Sequence, residues 1–482
     1  MSILILGVSG ARGIVGHGLD EGVARDLAVA FGGGLERAGG GEGEIPAPPI
    51  LVGRDSRPSG PLLAAAVAAA LRGAGFAVVD LGLVPTPTVQ VAVEEAHAAG
   101  GIIITASHNP REWNALKFVG PAGTFLDSAS MQGLIARYRT LEEARGVAAA
   151  AQPATADHSD TGEGGEAGPL ASRAMERTEA GSRALDDHVE RILRIVGGDA
   201  IRAARLRVVV DAVHGAGFVL IAPLLERLGV SATWIDGEPD GRLPDHPEPR
   251  AERLEPLALR VAEARAQVGF ALDPDGDRCA VVLPGRVLGE EWTLPLCALH
   301  VLERGRSGIL VANLSTSARI EWVGAQYGRA VERTPVGEAH VVARMKVRPT
   351  ALGGEGNGGV IDPQVHYGRD AGVAIGHLLG LEATGPDGRG GILRAANQMP
   401  TFVLVKRELA LDVGRLPSLE RELTSVFGPP AGREDGVRWA WPGRWIQIRP
   451  SGTEPIVRLF AEAADRETAE GLVAEVLARC AR

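Results

Sequence analysis

The sequence predicts an α/β protein of several domains, on three observations. Short β-branched runs alternate with alanine- and leucine-rich stretches of helical length. The second is that this strand–helix–strand order recurs along the chain, which argues for largely parallel sheets covered by helices on both faces. The third observation is size: 482 residues suit about three domains, or four if they are small. At 45% hydrophobic and 23% charged, the composition lets every domain bury a core, and aromatics at 4% make that core aliphatic.

Taken in order, candidate strands lie at residues 50–52, 77–80, 102–105, 208–211, 270–272 and 309–312. The helix between the first two starts at Ser59 and Pro61, fills residues 62–71 and ends at Gly73 and Gly75. The polar stretch 39–49 reads as a loop. From 146 to 182 the larger aliphatics are Val147, Leu170 and Met175 alone. They cannot offset the entropy of ordering, so a flexible insertion or linker is expected there. Helical periodicity resumes near Ala184, with His188, Val189, Ile192, Leu193 and Val196. No short-period repeat is visible.

Fifty Lys and Arg against 60 Asp and Glu give a formal charge of −10. Such a field repels phosphate backbones and anionic membranes, so nucleic-acid and membrane partners are not expected. An anionic small substrate requires positive charge gathered locally. The longest apolar run, 62–71, is too short to span a bilayer. The first residues lack a basic segment and reach glycine at once, unlike a secretory signal. Cys279, Cys297 and Cys480 form neither a disulfide framework nor a zinc pattern. The expected location is the cytoplasm.

Four segments carry chemistry. Asp273-Pro274-Asp275-Gly276-Asp277-Arg278 follows an apolar run, so several carboxylates surround one turn. At about 4 Å each pair repels by roughly 4 kcal/mol at an effective dielectric near 20, so a compact arrangement needs a cation. All-oxygen ligands favour magnesium or manganese over zinc. An EF-hand is excluded, because its sixth and twelfth positions would be Arg278 and Pro284. A solvated turn with splayed acids is the alternative.

Thr105-Ala106-Ser107-His108-Asn109-Pro110 again ends a buried run, where open α/β sheets bind ligands. Asn109-Pro110 forces a turn that should present Ser107 to solvent. No G-x-S-x-G elbow surrounds the serine, and adjacent strand residues face opposite ways, so His108 is a poor base for it. A simple Asx turn is the other reading. Arg449-Pro450-Ser451-Gly452-Thr453-Glu454-Pro455 offers hydroxyls and successive N–H groups to an anion beside a guanidinium, or is a plain turn. Gly353-Gly354-Glu355-Gly356-Asn357-Gly358-Gly359 lets the backbone approach a ligand, with Glu355 and Asn357 suited to sugar hydroxyls. Gly354, Gly356 and Gly359 also match G-x-G-x-x-G, but no preceding buried strand or following helix is evident. Gly7-Val8-Ser9-Gly10-Ala11-Arg12-Gly13 adds a glycine-rich loop with one arginine.

Together and in this order, the five segments resemble the α-D-phosphohexomutase superfamily across nearly the whole chain. The resemblance implies three related α/β domains plus a smaller α+β C-terminal domain around a central cleft. The expected division is 1–145 with the phosphoserine loop, a linker at 146–182, 183–300 with the metal loop, 301–395 with the sugar loop, and 396–482 with the phosphate loop. By match to the family, Ser107 is the phosphoserine, and with Asp273, Asp275 and Asp277 it binds one Mg²⁺ per chain. Lys117 matches the general base. Arg12, His108 and Arg278 match residues that orient groups and balance charge. Glu355 and Asn357 fall on the sugar loop, and Arg449, Ser451, Gly452 and Thr453 on the loop that grips the idle phosphate.

The implied activity moves a phosphoryl group between C6 and C1 of a hexose phosphate through a bisphosphate, with hexose 1,6-bisphosphate as activator. Asn357 stands where many members have serine, a variant that resembles archaeal-type phosphoglucosamine mutases. Glucosamine 6-phosphate to glucosamine 1-phosphate is therefore the expected reaction. Mannose or glucose phosphates, less so a pentose phosphate, are alternatives, as are a metal-dependent phosphatase and a silent sugar-phosphate sensor. Glu338 stands where some members place a histidine, and His340 receives no role.

Overall fold

The computed structural model describes residues 3–35, 47–151, 177–409, 411–451 and 456–480. Among them the strands form four sheets. The first contains β1 (Leu4–Gly7), β2 (Gly10–Ile14), β3 (Ile50–Arg54), β4 (Val78–Leu83), β5 (Gly100–Ile104) and β6 (Trp113–Val119), in the order β1-β2-β6-β5-β3-β4. The second contains β7 (Arg207–Asp211), β8 (Ser231–Ile235), β9 (Val268–Leu272), β10 (Cys279–Leu283) and β11 (Arg286–Gly289), ordered β11-β10-β9-β7-β8. The third contains β12 (Ile309–Asn313), β13 (Val331–Thr334), β14 (Thr350–Glu355) and β15 (Gly359–Ile361), ordered β13-β12-β14-β15.

These three sheets share a repeat that the sequence does not display. In each, a central strand pairs in parallel with the next two strands in the chain: β3 with β4 and β5, β7 with β8 and β9, β12 with β13 and β14. The third strand of each set then turns back into an antiparallel neighbour. The sheets are therefore mixed, not largely parallel as expected. The three reversals are residues 105–112, 273–278 and 356–358, so three of the motifs occupy equivalent corners of one topology. The fourth sheet is wholly antiparallel: β16 (Val403–Leu409), β17 (Val437–Trp441), β18 (Arg444–Pro450) and β19 (Val457–Ala463), ordered β16-β19-β18-β17. The Arg449 motif joins β18 to β19.

The expected linker at 146–182 is helical at both ends. Helix Ser128–Ala151 runs into it, and helix Glu179–Ile195 starts before its end, capped by Thr178, whose Oγ1 accepts from Gly181 N at 3.0 Å. Thr178 and Glu179 thus start the helix earlier than its apolar periodicity indicates. Residues 152–176, and 36–46 with most of the loop expected at 39–49, lie outside the described residues. One continuous apolar core runs from Leu51 through Val210, Leu272 and Leu352 to Met399, joining the first three sheets. The fourth sheet packs on its own core around Trp439, Leu459 and Val473.

Candidate active site

The chain reverses after β5 through a left-handed residue, Ser107, at φ +51°. A non-glycine residue in this region is sparsely populated and must be held there by its surroundings. Arg57 supplies much of that hold. Its Nη2 donates to Ser107 O and Asn109 O, both at 2.7 Å, and its Nη1 donates to Pro110 O at 2.6 Å and Trp113 O at 3.0 Å. Asp55 Oδ2 accepts from Arg57 Nε at 3.1 Å and from Thr105 Oγ1 at 2.6 Å, and Thr105 Oγ1 in turn accepts from Ser107 N at 2.9 Å. Arg12 braces the same loop by donating to Asn109 Oδ1.

Two expectations fail here, for one reason each. Ser107 and His108 do not face opposite ways, because residue 107 is left-handed and not extended; His108 Nδ1 lies 3.5 Å from Ser107 Oγ. Nor is Ser107 presented to solvent. It is 3% exposed, because the acidic loop of the second sheet closes over it and Ser107 Oγ donates to Asp273 Oδ2 at 3.1 Å. Burial, reinforced by Arg278 and Arg12, holds the His108 imidazole well below its ordinary range, against the pull of Glu248.

The acidic loop is compact, not splayed. Gly276 permits its turn at φ +68°, where a Cβ would stand 3.0 Å from Gly217 Cα. Asp273, Asp275 and Asp277 are each at most 1% exposed, with one carboxylate oxygen of each within 4.8 Å of the others. Asp273 Oδ1 accepts from the N–H groups of Asp277 and Arg278, both at 3.1 Å. Asp275 Oδ2 accepts from Lys117 Nζ at 2.7 Å and Thr86 Oγ1 at 2.8 Å, and Asp277 Oδ2 from Arg369 Nη2 at 2.5 Å. Asp275 Oδ1 and Asp277 Oδ1 are buried without a hydrogen bond. Burial and the charges of Asp277 and Asp275 push the Asp273 carboxyl far up; Asp275, despite burial, is held low chiefly by Lys117. Orphaned hard oxygens around one point fit a magnesium-like ion.

Across the cleft, Glu355 ends β14. Its Oε1 accepts from Asn313 Nδ2 at 2.8 Å and Gly337 N at 2.9 Å. The Gly-rich segment does follow a buried strand, contrary to the sequence reading, but it turns into β15 and not into a helix, which removes the cofactor-fingerprint reading. Arg449 donates from Nε to both carboxylate oxygens of Asp435, at 2.8 and 2.9 Å. A cavity of about 310 Å³ joins these parts: Ser107, Lys117, Asn357, Glu355, Arg449 and Ser451 all line it, with Arg12, His108 and Arg278. Gly452 and Thr453 lie outside the described residues.

Sequence reasoning missed Asp55, Arg57, Glu248, Arg369 and Arg458. Asp55 and Arg57 follow the strand at 50–54, the same position that drew attention to Ser107, and that signal was available. Glu248 accepts from Arg278 Nη1 at 2.9 Å; despite burial, His108, Arg278 and Arg250 keep its carboxyl well below the usual range. Arg458 lines the cavity from β19. Positive charge is thus concentrated in the cleft of an acidic chain, as an anionic substrate requires.

The cleft thus sets a buried serine against three carboxylates and gathers guanidinium groups around one cavity, an arrangement suited to an anionic substrate. Phosphoglucomutase/phosphomannomutase alpha/beta/alpha domains I, II and III match residues 4–145, 186–285 and 290–388, and the C-terminal domain of that family matches 434–479. A phosphoglucomutase/phosphomannomutase of Thermococcus kodakarensis is 30% identical over 469 residues, covering 96% of each chain. A probable phosphoglucosamine mutase of Methanopyrus kandleri is 32% identical over 485 residues, 98% of each. A solved phosphoglucomutase/phosphomannomutase family protein from Burkholderia thailandensis superposes with a TM-score of 0.76 at 27% identity, over 98% of this chain and 95% of that one. The chain belongs to the phosphoglucomutase/phosphomannomutase family and is an isomerase of the phosphohexomutase class. Among the described residues, no helix is long and apolar enough to cross a membrane.

Proposed function

We propose that this mutase interconverts glucosamine 6-phosphate and glucosamine 1-phosphate in the cytoplasm, with Ser107 as phosphoryl carrier and hexose 1,6-bisphosphate as activator. The observation that carries the mechanism is the convergence on one cavity of Ser107 Oγ, 3.1 Å from Asp273, with Lys117, Glu355, Asn357 and Arg449. Asp273, Asp275 and Asp277 would hold one Mg²⁺ per chain, whose charge offsets that of the phosphoryl oxygens.

In the first half-reaction the free sugar hydroxyl attacks phospho-Ser107. The Ser107 Oγ–P bond breaks as the sugar O–P bond forms, and Lys117 relays the hydroxyl proton to Ser107 Oγ. The resulting bisphosphate turns end for end, and its other phosphate returns to Ser107 with the proton path reversed. Arg449, Ser451, Gly452 and Thr453 grip the phosphate that is not being transferred, whichever end it occupies. Glu355 and Asn357 hold the sugar hydroxyls. Arg12 and Arg278 balance phosphate charge, and His108 orients the groups beside Ser107.

The intact Ser107, Lys117 and aspartates weigh against a silent sensor. The glucosamine assignment is supported by Asn357 in the sugar loop and by the Methanopyrus relative. The Thermococcus relative supports mannose or glucose phosphates as the second reading. Phosphorus NMR with Mg²⁺, a trace of hexose 1,6-bisphosphate and the 1-phosphates of glucosamine, glucose and mannose tests both. Fastest conversion of glucosamine 1-phosphate upholds the proposal. Faster mannose or glucose conversion moves the substrate and keeps the mechanism. Phosphate release without isomerisation overturns the mechanism.

A further inference from the structure

Every nitrogen of the Arg369 guanidinium meets a carboxylate of the cleft. Nη2 donates to Asp277 Oδ2 at 2.5 Å, Nη1 to Glu355 Oε2 at 2.7 Å and Nε to Glu338 Oε2 at 3.1 Å. The first partner belongs to the acidic loop, the second to the sugar loop. The third, Glu338, also accepts from Gln90 Nε2 of the first sheet's layer at 3.2 Å. We infer that Arg369 is a positioning residue that sets the metal-binding loop and the sugar-binding loop in register with one another.

The fork is held rigidly from behind. Asp370, its neighbour, caps helix Ala371–Glu382 by accepting from Gly372 N at 2.7 Å and Val373 N at 3.2 Å, and its other oxygen lies 2.7 Å from His188 Nε2 and 3.2 Å from His366 Nε2. From in front, Gly359 opens the path: a Cβ there would stand 2.3 Å from Arg369 Cδ. With Asp277 Oδ2 taken by the fork, the other oxygen of Asp277 is the one left without a hydrogen bond. With Glu355 tied through both oxygens, its remaining lone pair has one direction. A planar guanidinium makes three such bonds at once; a lysine ammonium keeps the charge but not the fork.

This inference rests on the proposed metal and sugar sites, and it is tested by binding alone. Mn²⁺ affinity is measured by electron paramagnetic resonance without sugar, and binding of the three hexose 1-phosphates by calorimetry without metal, on wild type, Arg369→Lys and Arg369→Gln. Lost supporting contacts to metal ligands weaken affinity by about 10- to 100-fold. We expect Mn²⁺ binding at least 10-fold weaker in both variants, and the sugar phosphate that binds wild type several-fold weaker, measured well below each variant's own melting transition.

Arg369→Gln separates position from charge. Removing a nearby cation alone would tighten Mn²⁺ binding, whereas loss of positioning loosens it. Mn²⁺ and sugar affinities within twofold of wild type in either folded variant, or tighter Mn²⁺ binding in Arg369→Gln, would overturn the inference. If neither variant folds, Glu338→Gln replaces them. Loosening one arm of the fork should weaken sugar binding, and wild-type affinity would overturn the inference equally. Wild type that binds no hexose phosphate is instead a failure of the proposed function.

Discussion

Ser107 is a serine in a left-handed turn, buried against the Asp273 carboxylate, and it is the hydroxyl proposed here to carry the phosphoryl group. Ser107→Ala should therefore lose transfer by about 10³-fold or more, read as isomerisation of the preferred 1-phosphate, while Mn²⁺ binding persists. Wild-type turnover in that variant would remove the carrier role. A second residue-scale effect lies away from the cleft. His300 Nδ1 sits 3.1 Å from His377 Nδ1, and burial, then the charges of His377, Arg304 and Arg306, lower its pKa to about 2. A histidine whose folded pKa is depressed contributes stability that is full above its unfolded value, near 6.5, and is lost as pH falls. From pH 6.5 to pH 5 one such proton costs about 2 kcal/mol. Urea unfolding at pH 7 and pH 5 should show wild type losing about that much more than His300→Asn. Equal losses would assign the buried pair no titration. At this scale the aspartates and Ser107 were legible, since polar residues directly after buried apolar runs advertise a strand end. Arg369 was not: its partners lie 14, 31 and 92 residues away, and no local pattern marks them.

Elements explain why the motifs come in a series. Each of the first three sheets places a central strand between two parallel neighbours and then reverses, and each reversal carries a chemical loop. The alternation of β-branched and alanine-rich runs revealed the α/β character. It could not reveal the reversals, because β10 and β15 are short and directly follow loops read only for their polar residues. The left-handed conformation of Ser107 was equally hidden, since a serine there is set by Arg57 from a different loop. Arg57 is fully buried and satisfies four backbone carbonyls. Arg57→Ala would leave those groups and Asp55 unpaired, so a loss of about 3–5 kcal/mol is expected in urea unfolding, with Ser107 phosphorylation impaired in what remains folded. A loss under about 1 kcal/mol would mean that water replaces the guanidinium. In the acidic loop, Gly276→Ala should cost about 1–3 kcal/mol through its left-handed φ and the contact with Gly217, and Mn²⁺ affinity should fall with it.

At the scale of the whole molecule, the first three sheets are fused through a shared apolar core and the fourth has its own. What joins them is polar. Lys406 Nζ of β16 lies 2.8 Å from both Glu290 Oε1 and Glu291 Oε1, Ser315 Oγ donates to Gln447 Oε1 at 2.9 Å, and Ala318 N donates to Glu462 Oε1 at 2.9 Å. Despite burial, the two glutamates hold the Lys406 ammonium well above its usual range. Lys406→Met should loosen this seam, seen as a larger radius of gyration by small-angle scattering and a several-fold higher KM for sugar phosphate. An unchanged scattering profile would show that the remaining polar contacts suffice.

A seam made of ion pairs and amide hydrogen bonds has a thermal signature of its own. Separating polar surfaces exposes little hydrocarbon, so the heat-capacity change on parting the fourth sheet from the rest is small. Scanning calorimetry would then record two melting steps, and added salt would draw them further apart. The enthalpy of parting the fourth sheet from the rest is then nearly the same in the cold as in the heat, because parting them leaves the two apolar cores that keep each side folded intact.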